Sequence, residues 1–294
     1  MISKIKDFVA LFRVKQWVKN TFVFFPLLFS SRIFNSALLL SNLITFFGFC
    51  FIASGMYIFN DLLDIERDRL HPRKSQRPLA RRDVNKSSIF ILIVVILGIG
   101  LWTLSIVSWP VVGIAIFYIA LHLLYNLSAK HVVLLDAFFV ALGFQVRIWA
   151  GSLATEVAPS LWLQMCVFLL ALFLGFTKRR YEISNLKDKA AEHRSVLAHY
   201  TTYLLDQIII ICSTLAIVFY GLYTISQEIN DRLGNYYMPY TIVFVIYGIF
   251  RYLYLVHVKK LGDDPGEMLF YDKALLINVV LWIFSVFGII YFSH

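Results

Sequence analysis

Charged side chains are scarce in this chain. They make up 15% of its 294 residues, and acids are the scarcer kind, with 18 Asp and Glu against 27 Lys and Arg. A soluble globular domain carries about a quarter of its residues as charges, so that class is excluded. Cysteine is rarer still. Cys50, Cys166 and Cys212 all fall in apolar stretches, with no C-x-x-C and no histidine spaced to complete a zinc site. That excludes a zinc module and leaves the three thiols as core filler. No Ser/Gly-rich linker appears, and no loop is long enough for a second domain, so one domain accounts for residues 1–294. A cleavable secretory stretch is not visible either.

What the chain has instead is 60% hydrophobic residues and a mean hydropathy of +0.74. It reads as an all-α polytopic membrane protein, because apolar runs long enough to cross a bilayer recur along the whole sequence. Spans are expected near 18–31, 36–60, 88–107, 110–126, 132–152, 160–178, 204–226, 238–256 and 274–292, nine in all. Ahead of them, "MISKIKDFVALFRVKQ" (1–16) sets Phe8, Leu11 and Phe12 at helical spacing among basic residues. It reads as a helix lying on the membrane surface, or else as the first turn of the first span.

Lys and Arg counted in alternate connections give the orientation, since cytoplasmic loops carry the positive excess. The N-terminal arm holds Lys4, Lys6, Arg13, Lys15 and Lys19, and the loop after the second span holds eight, from Arg67 to Lys86. The loop after the sixth adds Lys178, Arg179, Arg180, Lys187, Lys189 and Arg194, whereas the alternate loops offer only Arg32 and Arg232. The N-terminus is therefore expected in the cytoplasm and the C-terminus on the opposite side of an inner membrane. The net charge of +9 is then a topology signal with attraction to anionic membrane lipids. No aromatic-interleaved basic surface argues for nucleic acid.

One stretch departs from the apolar pattern: "YIFNDLLDIERDRLHPRKSQRPLARRD", from Tyr57 to Asp83. On a helix, Asp61, Asp64 and Asp68 stack on one face with Asn60 flanking them, while Glu66 points away. His71 before Pro72 marks the expected helix end. Three stacked carboxylates repel one another and the partial negative charge of a helix C-terminus, so a cation should compensate. An all-oxygen, carboxylate-rich set suits Mg²⁺, which shares its shell with water and substrate phosphates. The competing reading is a solvated helix end that keeps the span from sliding into lipid.

Arg69, Arg73, Lys74, Arg77, Arg81 and Arg82 follow, and their forked donors suit phosphate oxygens. Arg77 stands out, because Pro78 stiffens the backbone that would hold it over the acidic row. A second charged helix end, "LGFTKRRYEISNLKD", places Lys178, Tyr181, Glu182 and Asn185 on one face, which suggests a pseudo-repeat of the first site. In the fifth span, Asp136, Gly143 and Arg147 share a face. Arg147 reads either as functional or as a structural partner within the bundle, and Asp136 as near enough to the cytoplasmic end to be wet.

These residues resemble the UbiA superfamily of intramembrane prenyltransferases, whose nine-helix bundle carries N-D-x-x-D-x-x-x-D at the end of its second helix. "NDLLDIERD", Asn60 to Asp68, matches every fixed position. "RVKQWVKNTFVFFPLLFS", "LYNLSAK" and "GFQVRIWAG" match further, and the resemblance covers essentially the whole chain. It implies a bundle with a central cavity facing the cytoplasm. Most members carry a second acidic D-x-x-x-D at the end of the sixth helix, where this chain has "KRRYEISNLKD". With "EHRSVLAHYT" and "GDDPGEMLFYDKALL", that departure looks like the branch of decaprenyl-phosphate phosphoribosyltransferases.

The resemblance implies a donor, phosphoribosyl pyrophosphate, and an acceptor, a polyprenyl phosphate lipid. Mg²⁺ held by Asn60, Asp61, Asp64 and Asp68 would neutralise the pyrophosphate leaving group. The acceptor phosphate is already ionised, so no Ser, His or Cys nucleophile is required. Lys178 and Arg179 are expected at phosphate, beside Tyr181 and Glu182 where the second acidic motif is missing. Lys15, Lys19, Asn20, Tyr125, Lys130 and Arg147 are expected to line the same anionic pocket, with Arg77 above the metal. Conventional prenyl transfer from a polyprenyl diphosphate is the alternative chemistry, and a transporter or lipid-binding protein the alternative class. Homo-oligomers are compatible with either.

Overall fold

The computed structural model describes residues 9–70, 74–81, 84–186, 195–262 and 265–292, and within them every regular element is a helix. Among the described residues, eight helical stretches are long and apolar enough to cross a membrane: α1 (Ser36–Leu63), α2 (Lys86–Ser105), α3 (Trp109–Leu127), α4 (Leu135–Thr155), α5 (Leu161–Leu186), α6 (Thr202–Ile225), α7 (Ile242–His257) together with the 3₁₀ turn Met238–Thr241 ahead of it, and α8 (Lys273–Phe292). Their starts are written locally. Asn35 accepts the N–H groups of Ala37 and Leu38, Asn85 that of Ser87, and Thr201 that of Leu204. Asp272 caps α8 by accepting from Leu275 at 2.8 Å. Pro110 occupies the first turn of α3, where its missing N–H costs nothing.

The first expected span is built differently. Residues 9–11 form a single helical turn, the chain turns at Arg13 with φ +48°, and Val14–Phe24 is a 3₁₀-helix followed by the short helix Phe25–Leu28. At about 2.0 Å of rise per residue, a 3₁₀ run gains length faster than an α-helix, so these eleven residues reach about 22 Å. The surface-helix expectation for 1–16 falls partly outside the described residues, as do His71, Pro72 and Arg73, the side chain of Lys74, and Arg82.

Two compact units divide the chain: Met1–Lys130 with Val146–Pro159, and His131–Gln145 with Ser160–His294. In the first, α1 packs on α2 through small residues. A Cβ on Gly100 would lie 2.8 Å from Ile52 Cδ1 and 3.1 Å from the carbonyl oxygen of Gly48. The 3₁₀ run is tied to α1 by Ser54, which accepts from Trp17 Nε1 at 3.1 Å and donates to the Phe12 carbonyl at 2.8 Å. Gly151 of α4 touches the same run so closely that a Cβ would lie 1.8 Å from the Val23 carbonyl oxygen.

In the second unit, α5 packs along α6 over a core that includes Phe173, Phe176, Leu205, Ile209 and Tyr252. Two buried polar side chains there, Asn278 and Tyr220, find partners. Asn278 donates to the Phe244 carbonyl at 2.9 Å, and Trp282 donates to the Tyr220 hydroxyl at 2.8 Å. Large side chains left outside each unit suit a lipid solvent. Trp102 and Trp109 flank the turn between α2 and α3, and Tyr236, Tyr237 and Tyr240 cluster ahead of α7, as interfacial aromatics do.

Candidate functional site

The acidic row begins inside α1 and outlasts it. Asp61 lies in the last turn of α1, Asp64 caps that helix with φ −100°, and Asp68 sits in the next short helix, Ile65–Leu70. The break at Asp64 does not shift the register. Asp64 N–H still reaches the Asn60 carbonyl at 3.1 Å, and Asp68 N–H reaches that of Asp64 at 2.8 Å. Asp61 and Asp68 are each only 4% exposed, whereas the Glu66 side chain is 80% exposed. The three-four spacing thus turns Asp61 and Asp68 inward, leaves Asp64 half-buried and points Glu66 outward.

Three cations meet the three aspartates. Nη1 of Arg77 donates to Asp61 Oδ1 at 2.9 Å and to Asp68 Oδ2 at 2.6 Å, so one nitrogen is shared by two carboxylates. Arg13 forks onto Asp61 from another side, with Nε 3.2 Å from Oδ2 and Nη2 bonded to Oδ1, and its guanidinium lies 5.1 Å from the centre of the Tyr57 ring. Lys130 donates to Asp64 at 2.9 Å. Apolar packing fixes these contacts. Phe12, beside Arg13, and Leu79, two residues after Arg77, are buried in one cluster with Ile58, three residues before Asp61, and Ile65, between Asp64 and Asp68. Arg69 adds a tie, donating to the Ala80 carbonyl at 3.2 Å.

Deeper in the same unit, Arg147 is 3% exposed and donates to Asn20 Oδ1 and to the Tyr118 hydroxyl, each at 2.7 Å. Asn20 in turn donates to Cys50 at 3.2 Å. Arg147 and Asn20, both expected in an anionic pocket, are thus engaged with each other. Lys19 is half-buried, Tyr125 ring-packs on His122, and Lys15 is exposed.

The second unit has its own buried pair. Arg179 donates to Asp136 at 2.6 Å and to Glu182 at 3.1 Å. Asp136 is therefore not wet but 0% exposed. It also accepts from the Tyr200 hydroxyl at 3.0 Å, and that hydroxyl accepts the N–H of Leu134 at 2.7 Å. Burial and the neighbouring Asp136 charge push the Tyr200 phenol up to about 12, so it stays a donor. Arg179, expected at a phosphate, is a strut here. Arg180 pairs with Asp206, and Lys178, Tyr181 and Glu182 are half-buried around them. Gly262 lies against Tyr181, where a Cβ would come within 3.1 Å of the Tyr181 Cβ.

Comparison with known proteins adds to this geometry. Residues 21–274 match the model of the UbiA prenyltransferase family. The chain belongs to the UbiA prenyltransferase family. Among curated relatives, the decaprenyl-phosphate phosphoribosyltransferase of Corynebacterium glutamicum is 32% identical over 289 residues, 96% of this chain and 86% of that protein. The enzyme of the same name from Mycolicibacterium smegmatis is 30% identical, over 98% of this chain and 94% of that protein. A solved structure of a UbiA homolog from Archaeoglobus fulgidus bound to GPP and Mg²⁺ shares the fold, with TM-score 0.73 at 17% identity, covering 97% of this chain and 99% of that one.

For this UbiA family member, the donor set can be tested against Mg²⁺. Asp61 and Asp68 already share a single cationic point, and their all-oxygen chemistry fits an ion that takes one or two carboxylates and completes its shell with water and phosphate. Asp64 turns instead to Lys130, and among the described residues no group of three acidic, His or Cys side chains is gathered for a metal. The residues therefore fit an ion held by two carboxylates, not a ready cage of three with Asn60. Arg13 is the residue that spacing overlooked: its partner is 48 positions away. The only sequence signal was its place at the head of the "RVKQWVKN" match.

Proposed function

We propose that this chain transfers 5-phosphoribose from phosphoribosyl pyrophosphate to a polyprenyl phosphate in a Mg²⁺-dependent reaction, giving polyprenyl-phosphoryl-5-phosphoribose and pyrophosphate. The observation that carries the reading is the acidic row matched by cations at the end of a membrane helix, in a chain similar over nearly its whole length to phosphoribosyltransferases named for decaprenyl phosphate. The end of α5 supports it, holding Lys178, Arg179 and Arg180 where paired aspartates would serve a second metal.

Asp61 and Asp68 would hold Mg²⁺, with Asp64 and Asn60 beside them. Bound there, Mg²⁺ supplies positive charge against the departing diphosphate. Arg13, Arg77 and Lys130 offer N–H donors to phosphate oxygens beside the acidic row, which lowers the cost of charge building on the leaving group. The ribose C1–O bond to pyrophosphate breaks as a lipid phosphate oxygen bonds to C1. That oxygen is already anionic, so the protein need not remove a proton. Lys178, with Tyr181 beside it, is assigned to a substrate phosphate, and Lys15 and Lys19 to the approach of anionic groups. The acidic row faces the cytoplasm, as does the N-terminus, and the C-terminus lies on the other side of the membrane.

The test offers purified protein labelled phosphoribosyl pyrophosphate or labelled prenyl diphosphate, with and without Mg²⁺. Pyrophosphate should appear from the first donor only, and only with polyprenyl phosphate and Mg²⁺ present. Asp61→Asn and Asp64→Asn should each lower turnover by about 100-fold or more, while Glu66→Gln stays close to the unaltered rate. Release from the prenyl diphosphate would replace this reading with conventional prenyl transfer, and release from neither would favour a transporter.

A further inference from the structure

We infer that Arg77 is a resident stand-in for the divalent ion: its guanidinium keeps Asp61 and Asp68 at coordinating separation, gives up that place when the ion binds, and moves onto the anionic ligand. This rests on the reading above, in which the acidic row holds the ion. Three features carry the inference further. A single nitrogen, Nη1, bonds both carboxylates at 2.9 and 2.6 Å, so a cation at that point can be replaced by another without moving either aspartate far.

Accessibility is also graded. The Asp61 and Asp68 side chains are 5% exposed, but that of Arg77 is 27% exposed, so the guanidinium enters from the open edge and can leave by it. The backbone that carries it is pinned, since Leu79 and Ala80 are buried and Arg69 bonds the Ala80 carbonyl. A swing of one side chain therefore suffices. Asp61 does not lose all charge compensation when Arg77 leaves, because Arg13 stays forked on it and is held by the Tyr57 ring.

The arrangement has a thermodynamic consequence. In the absence of an anion, metal must displace a bonded guanidinium, so metal binding is weak. With a diphosphate present, the released guanidinium gains new acceptors, so metal and anion bind with positive coupling. Arg77 would thereby keep the site from filling with metal before the donor arrives.

The experiment measures Mn²⁺ binding to the full chain in lipid nanodiscs by electron paramagnetic resonance, with and without inorganic pyrophosphate. Without pyrophosphate, Arg77→Gln should bind Mn²⁺ about tenfold more tightly than the unaltered protein. With pyrophosphate, the unaltered protein should tighten by more than the variant does, by about the 5- to 150-fold typical of coupled sites. If folded Arg77→Gln binds Mn²⁺ no more tightly than the unaltered protein, the stand-in role is overturned. Asp61→Asn tests the underlying reading separately: it should lose Mn²⁺ binding in both conditions, and retention would overturn the metal assignment itself. Chemical modification of the unaltered protein by phenylglyoxal, mapped to Arg77 by mass spectrometry, covers the case of a variant that fails to fold. Mg²⁺ alone should raise modification of the Arg77 guanidinium, and added pyrophosphate should lower it again. Protection or no change with Mg²⁺ alone would contradict the swap.

Discussion

Asp136 shows how one intramembrane carboxylate is stabilised and why its surroundings escape a sequence reading. Its position in the fifth expected span was plain, but Arg179 and Tyr200, which bury it, lie 43 and 64 residues away. Removing one member of a buried ion pair leaves the other charge without compensation, at about 3–5 kcal/mol. Asp136→Asn should therefore lower the detergent melting temperature clearly, and Tyr200→Phe less, at about 1–2 kcal/mol for the donor lost to Asp136 and the acceptor lost to Leu134. A thermal-shift series checks both. The sign of the pH effect follows from the raised Tyr200 value. Its contribution is full below 10, the ordinary phenol value, and is lost as pH rises through about 12. The aspartate row was legible because helical geometry alone stacks residues three and four apart. Arg13 was not, because a left-handed turn and a contact across 48 residues put it there.

At the scale of elements, most long spans were legible to within a few residues, since bilayer thickness fixes length and Asn, Thr or Asp caps mark several starts, although α5 runs on to Leu186, past the expected end at 178. The first span was the exception. A continuous apolar run cannot distinguish a 3₁₀-helix from an α-helix, and here tertiary contacts decide: Trp17 and Phe12 bond to Ser54 of α1, and Gly151 of α4 admits the Val23 carbonyl. Gly151→Ala would drive a methyl into that carbonyl. It should cost about 3 kcal/mol or force the run away from α4, because overpacking against backbone cannot be relieved by a rotamer change. Gly113→Ala, where a Cβ meets nothing within 4 Å, should be neutral or stabilising by up to about 1 kcal/mol from helix propensity. Denaturation of the two variants side by side reads the contrast.

For the whole molecule, sequence and comparison agree on the family, while the arrangement of charge needed coordinates. The distribution of the 27 basic residues underlies the expected topology. It could not separate the cations that meet the acidic row, Arg13, Arg77 and Lys130, from Arg179, which braces Asp136, or Arg147, which binds Asn20 and Tyr118. The central claim is that the aspartate row holds a divalent ion against the diphosphate of a phosphoribosyl donor. The most direct test is a ligand-bound crystal structure with phosphoribosyl pyrophosphate and Mn²⁺, located by its anomalous signal. The account predicts a peak within coordination distance of Asp61 and Asp68, with diphosphate oxygens completing the shell and Arg77 turned onto them. A donor bound with its diphosphate away from these aspartates, and the manganese peak elsewhere, would contradict it.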